Sequence, residues 1–214
     1  MRASDRAYAT LLDEIQQGVL PPGAVLGEVE QSTRLGVSRT PLREALARLV
    51  ADGLVVQQSP RMTVVAPIDG DDIRALFEVR RALEEAAVRA AARSHHRRRF
   101  VELAQRFADV DVSSAAARDE YYALIARFDS ALDEAHGNDY LTAALRNVRT
   151  HLVRVRRLAR EHPGRLAASV TEHHLIAQAI ADGDADLAAH ATHVHLHHAL
   201  SHVIASPRTQ QGAA

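Results

Sequence analysis

The chain has 214 residues, 47% hydrophobic and 25% charged, with a formal net charge of −1 at pH 7. That composition suits an ordinary globular fold of one large or two small domains, and it lacks the strongly basic balance that draws a protein to nucleic acid by bulk charge. There is no cysteine, hence no disulfide and no thiolate metal site, and no stretch approaches the ~20 apolar residues of a membrane span.

In chain order, a first helix is predicted from about Ser4 to Gln17, with Ser4 as its cap and Ala7, Leu11, Leu12 and Ile15 at helical spacing. Gly18 and Pro21-Pro22-Gly23 end it. A short helix follows over about 28–34 and stops at Gly36. Another begins between Ser38 and Pro41 and runs to about Ala51, with Thr40 and Pro41 read as cap and first helical position. Leu42, Ala45, Leu46, Leu49 and Val50 form its apolar stripe. Residues 54–57 and 63–66 read as two strands joined across Ser59-Pro60-Arg61, and Pro67 marks a linker. From there six helical segments are predicted, roughly 69–93, 96–109, 113–136, 139–160, 164–182 and 185–205, broken at Gly137-Asn138, Pro163-Gly164 and Gly183-Asp184. The expected fold is mainly α. Residues 1–67 form one domain with a strand pair, 68–206 an antiparallel all-α bundle, and 207–214 a flexible tail.

The stretch GVSRTPLREALARLVADGLVV, residues 36–56, carries the most chemistry. A helix-turn-helix needs a small residue between its helices, and Gly36 supplies one. The apolar stripe of the second helix leaves Arg39, Thr40 and Arg43 together on the opposite face, at the N-terminal end that enters a major groove. Every basic residue of the chain is Arg, whose planar fork suits guanine edges and phosphates alike. Ser38 and Thr40 can bind phosphate or cap the helix, and Arg61 at the strand tip can reach the backbone or minor groove. By spacing alone the same pattern also describes a solvated, Arg-rich helix. With 4% aromatic residues and no Trp, a stacking platform for single strands is not expected.

Residues 18–66 resemble the GntR family of bacterial regulators at LPPGAVLGE, GVSRTPLREAL and RLVADGLV. The resemblance implies a winged helix-turn-helix whose recognition helix begins at Ser38-Arg39-Thr40, with DNA contacts from Ser38, Arg39, Thr40 and Arg43. Two positions depart from the family: Gln31-Ser32 replaces Leu-Ala in the first helix of the motif, predicting looser packing there. Met62 also stands where the wing has Gly, predicting a differently shaped wing and weakening the assignment of Arg61.

The later segments LFEVRRALEEAAVRAAA (76–92), RFDSALDEAHGN (127–138), TEHHLIAQAIADGD (171–184) and HVHL (193–196) resemble the C-terminal FCD ligand-binding domain of the FadR subfamily, in its six-helix, VanR-like branch. The resemblance implies a dimerising bundle that binds small carboxylates, in many members beside a divalent metal. Carried over, the metal ligands are His173, His195 and Asp129. The family has His where Asp129 stands, and an Asp where Ile125 stands. A two-His, one-carboxylate set suits Zn, Ni, Mn or Fe, while ordinary packing of these residues in a His-rich region is the alternative. Arg80 is the effector-binding candidate. It can hold a carboxylate bidentately or pair with Glu84 one turn on. Tyr121 and Tyr122 line the cavity or the core. The run His95-His96-Arg97-Arg98-Arg99 reads as a solvated helix start. The function expected from all this is a cytoplasmic homodimeric regulator, more often a repressor in this family. It binds a double-stranded palindromic operator under control of a small carboxylate. A metal-dependent hydrolase or oxygenase using Asp129, His173 and His195 is the competing reading, disfavoured by the absence of HExxH and of a nucleophile motif.

Overall fold

A computed structural model describes residues 1–59, 62–159 and 163–206; Arg61 and the predicted tail 207–214 lie outside the described residues. The first unit holds α1 (Ala3–Gln17), α2 (Glu28–Leu35), α3 (Arg39–Ala51) and the strands β1 (Val55–Ser59) and β2 (Met62–Val65). The second holds α4 (Gly70–Arg93), a 3₁₀ turn (His95–Arg98), α5 (Arg99–Asp109), α6 (Ala115–His136), α7 (Asp139–Ala159), α8 (Pro163–Asp182) and α9 (Ala185–Ala205). This is the expected mainly α architecture, a winged helix-turn-helix followed by a helical bundle.

In the first unit the apolar stripes of α1 and α3 meet. Leu11, Ile15, Leu42, Leu46 and Leu49 pack with Leu26, Leu54, Val55 and Val65 into one core, each buried aliphatic side chain stabilising by about 1.5–3 kcal/mol. Gly36, with φ +63°, ends α2 in the left-handed region and turns the chain into α3; a Cβ-bearing residue there is strained. β1 and β2 pair antiparallel from Val55↔Val65 to Ser59↔Met62, with an irregularity between Gln57 and Ser59. Val25 adds an isolated bridge to Val64.

Several local expectations are corrected. Ser4 is not the cap of α1. It lies inside the helix, 8% exposed, and Arg2 precedes the first turn. α3 begins at Arg39 after Ser38, so Thr40 and Pro41 sit within the first turn, where the missing amide of proline costs nothing. Val50 falls off the buried stripe and is 41% exposed. Gln31 does not loosen α2. It is 3% exposed, and its Oε1 accepts from Arg34 Nε (3.0 Å) and Nη2 (2.7 Å). Arg34 in turn grips Glu14 of α1, so a polar link stands where an apolar contact was expected. Met62 lies in β2 without positive φ, a conformation no non-glycine residue adopts among those described.

In the second unit α4 packs along α9, α5 along α8, and α8 along α9. Its entry is fixed by Asp69, which accepts from the amides of Asp71 and Asp72, while Asp72 returns a bond to the Asp69 amide. The core centres on Phe100, Phe107, Tyr121 and Phe128, whose rings meet edge to face. A second cluster joins Ile73, Phe77, Val148, Leu152, Val155 and Val203. The run at His95 is an exposed 3₁₀ turn leading into α5.

Candidate functional site

Ser38, Arg39, Thr40 and Arg43 are all exposed at the start of α3, on the face opposite its buried stripe. The arginines differ in setting. Glu28, at the start of α2, holds Arg43 through Nε at 2.9 Å and Nη2 at 2.8 Å. The Arg43 guanidinium keeps the Glu28 carboxyl below the ordinary range, with Arg39 adding to the effect. Glu28 was not anticipated from the sequence. It fixes the plane of the Arg43 fork and leaves Nη1 directed away from the clamp. Its carboxylate also opposes indiscriminate contact with phosphates. Glu28→Gln is expected to lower the ratio of operator to random-sequence affinity, measured by competition in a gel-shift assay, while leaving thermal stability nearly unchanged.

The second constellation lies inside the bundle. α4, α6, α7, α8 and α9 enclose a cavity of about 90 Å³, room for several waters or a small organic molecule. Its walls are mainly apolar, with Phe77, Ile125, Leu152, Val155 and Val203 among them. Its polar lining includes Arg80, Arg165, Ser169, His173, His195 and His202. Of the two alternatives for Arg80, the pair with Glu84 is formed, and it leaves the side chain in the cavity lining. Its Nε donates to Glu84 at 2.7 Å in a buried pair, and the same side chain lines the cavity. Burial pushes the Glu84 carboxyl up, but the charge and hydrogen bond of Arg80 outweigh it and hold the group below its ordinary value. Tyr121 is both core and lining, and its hydroxyl donates to Ser169 Oγ at 2.7 Å.

His173 and His195 are neighbours, with ring centroids 4.4 Å apart. Nδ1 of His173 lies 2.8 Å from the Ser169 carbonyl. That contact assigns the proton to Nδ1 and the acceptor to Nε2. Nδ1 of His195 lies 2.7 Å from Glu172 Oε2. Burial holds the His195 pKa below its usual range despite Glu172, so the neutral ring donates to the carboxylate. Glu172 also accepts from Arg165 Nη2 and His198 Nδ1, each at 2.7 Å. Desolvation raises the Glu172 pKa, but these three donors outweigh it and hold it down to about 2, against an ordinary 4.5. A depressed carboxyl stabilises the fold fully above 4.5 and loses that contribution as pH falls through 2. The neutral, buried His195 acts in the same direction once pH drops below its ordinary 6.5. Urea unfolding across pH is therefore expected to show stability declining on acidification, with a shallower decline between 4.5 and 2 in Glu172→Gln.

The three carried-over metal ligands do not assemble. No group of three His, Cys, Asp or Glu side chains able to hold a metal occurs among the described residues. Asp129 faces Arg149 of α7, whose Nε is 3.5 Å from its carboxylate, and Arg149 also donates to Asp133 at 2.7 Å. Ile125 brings an apolar side chain to the cavity. The cavity thus sets three histidines, His173, His195 and His202, beside two arginines, with no carboxylate in its lining and no three ligands grouped to hold a metal among the described residues, which does not fit a divalent cation. Arg165 was missed from sequence, since only its position after Pro163-Gly164 was visible and nothing there marked a cavity.

α7 joins the two constellations. Leu152 and Val155 line the cavity. From the same helix His151 Nε2 donates to the Asp52 carbonyl at 2.8 Å and Arg154 Nη2 donates to the Ala66 carbonyl at 2.6 Å. The Thr150 carbonyl accepts from Gln16 of α1 at 3.2 Å. His151 also packs where a Cβ on Gly53 would stand, at 3.5 Å, so the turn after α3 abuts the helix that walls the cavity.

No helix of the described residues is long and apolar enough to cross a membrane. Residues 3–65 match the family model for bacterial regulatory proteins of the gntR family, and residues 75–198 match the FCD domain. An uncharacterised helix-turn-helix regulator of Agrobacterium vitis is 41% identical over 81 residues, a match covering 38% of this chain and 47% of that protein. A probable D-xylose utilization operon transcriptional repressor of Paenarthrobacter nicotinovorans is 29% identical over 93% of this chain and 86% of its own length. The solved structure of E. coli McbR/YncC superposes with a TM-score of 0.75 at 19% identity, covering 95% of this chain and 97% of that one; at that identity it speaks for the fold alone. Regulators of this kind are not enzymes, and the hydrolase or oxygenase reading falls with that. The chain belongs to the gntR family of DNA-binding transcriptional regulators, in the subfamily that carries an FCD domain.

Proposed function

We propose that this regulator is a cytoplasmic homodimer that represses transcription from a two-fold symmetric operator. A small carboxylate bound in the bundle cavity sets its affinity for that operator. Ser38, Arg39, Thr40 and Arg43 read the DNA. A dimer of helix-turn-helix units binds half-sites about one helical turn apart or multiples of it. The observation that carries the effector reading is the pair of arginines in a mainly apolar cavity. Glu84 and Glu172, which balance them, are absent from the lining, so the cavity meets the donor side of each ion pair. A buried guanidinium offers a carboxylate two parallel hydrogen bonds. α7 gives the coupling a route, since a ligand against Leu152 and Val155 presses on the helix that holds Asp52 and Ala66. Ligand control requires different affinities for the two states of the protein, typically five- to about 150-fold.

A thermal-shift screen of small carboxylates against their amides tests this reading. A binder is expected to raise the melting temperature with concentration, and Arg80→Met is expected to abolish the rise. Carboxylates and amides shifting the protein equally would contradict it.

A further inference from the structure

We infer that Arg165, rather than a bound metal, supplies the charge that holds the effector's carboxylate, and that this effector is a small monocarboxylate with an apolar body. The inference rests on the cavity being the effector site. Arg165 is placed by Glu172, which takes its Nη2. Its Nη1 is buried with no hydrogen-bond partner among the described residues, in a side chain that lines the cavity. Leaving a buried charged donor unsatisfied is costly, and an incoming carboxylate oxygen removes that cost. The guanidinium stands beside His195, with Nη2 3.5 Å from its Nδ1 and 3.4 Å from its carbonyl. A divalent cation on the cavity histidines would have to share this space with a fixed positive charge. Glu172, which accepts from His195, is already occupied by three donors. The same charge that disfavours a cation suits an anion. Ser169, His173, His202 and Arg80 also line the cavity. The rest of the lining is mainly apolar, with Phe77, Leu152, Val155 and Val203 in it, so most hydroxyls of a sugar acid buried there would go unpaired.

The test is isothermal titration of full-length protein, prepared and kept in EDTA, with benzoate and butyrate. Benzamide serves as neutral control and glucuronate as polyhydroxylated control. Benzoate or butyrate is expected to bind in EDTA, and neither control is. Arg165→Gln is expected to weaken binding about ten- to a hundredfold, the worth of a charge-assisted bond. Because Arg165→Gln also strips a partner from Glu172, Arg165→Lys is measured beside it. Lysine keeps the charge but cannot grip Glu172 and the ligand at once, so weaker binding is expected there too. Unchanged affinity in either folded variant overturns the role of Arg165. Binding that appears only after adding Zn²⁺, Ni²⁺ or Mn²⁺ overturns the metal-free site but leaves the cavity as effector site. Tighter binding of glucuronate overturns the apolar class. No carboxylate binding with or without metal overturns the inference together with the effector reading.

Discussion

Replacing Arg39 and Arg43 together with alanine is expected to abolish recognition of the operator in a shift assay, while circular dichroism and melting stay as in the unmodified protein. Both side chains are exposed at the N-terminal end of α3, so neither supports the core formed by Leu42, Ala45, Leu46 and Leu49. Each arginine, bidentate to a guanine or a phosphate, contributes roughly ten- to a hundredfold. Two of them in each half of the proposed dimer would together be comparable to the margin of about 10³- to 10⁷-fold that separates an operator from bulk DNA. The two are not equivalent. Arg43 is oriented by Glu28, so its single loss should fall mainly on sequence discrimination. Arg39 has no such clamp, and its loss should lower affinity more evenly and flatten the salt dependence. Operator binding that survives the double substitution contradicts the assignment of α3 as the reading helix.

Glu172→Leu has the largest expected effect on stability. The carboxylate is the shared acceptor of Arg165, His195 and His198, and its side chain is 14% exposed. Removing it strands a mostly buried guanidinium and a buried imidazole N–H. Breaking a buried ion pair from one side typically costs about 3–5 kcal/mol, a large share of the ~5–15 kcal/mol that holds a domain together. Removing Arg165 as well, in Glu172→Leu with Arg165→Met, is expected to recover much of the loss, because no uncompensated charge is left. Chemical denaturation of the four proteins of that cycle measures the coupling directly. A single variant as stable as the original would show that Glu172 does not organise this end of the cavity.

How far the sequence carried the reading follows from the range of each interaction. The apolar stripe of α3 and the breaks at Gly137, Pro163 and Gly183 were legible because helical periodicity and turn chemistry are local. Val50 and Thr40 were misplaced by a fraction of a turn, a matter of where the helix starts. The exposed arginines of α3 were legible for the same local reason. The cavity was not. Arg80 was visible as a candidate through the resemblance, and its pair with Glu84 because that lies one turn away on the same helix, but Arg165, which reaches Glu172 two turns on along α8, meets His195 only after α8 packs on α9. Asp129 was assigned to a metal by resemblance, and the packing of α7 against α6 gave it Arg149 instead. Gln31 was read as a packing defect, since the arginine that satisfies it is fastened from α1 by Glu14. The contacts of His151 and Arg154 with the first unit left no mark in the sequence beyond a general richness in basic residues.

The central claim is that occupancy of the cavity sets affinity for DNA. It is tested most directly by fluorescence anisotropy of a labelled operator, recovered by selection from random DNA, titrated with the protein at fixed salt with and without a saturating carboxylate found by titration. The dissociation constant is expected to shift five- to about 150-fold with ligand, and the shift to vanish in His151→Ala with Arg154→Met while ligand binding persists. An identical dissociation constant with the cavity filled and empty would contradict it.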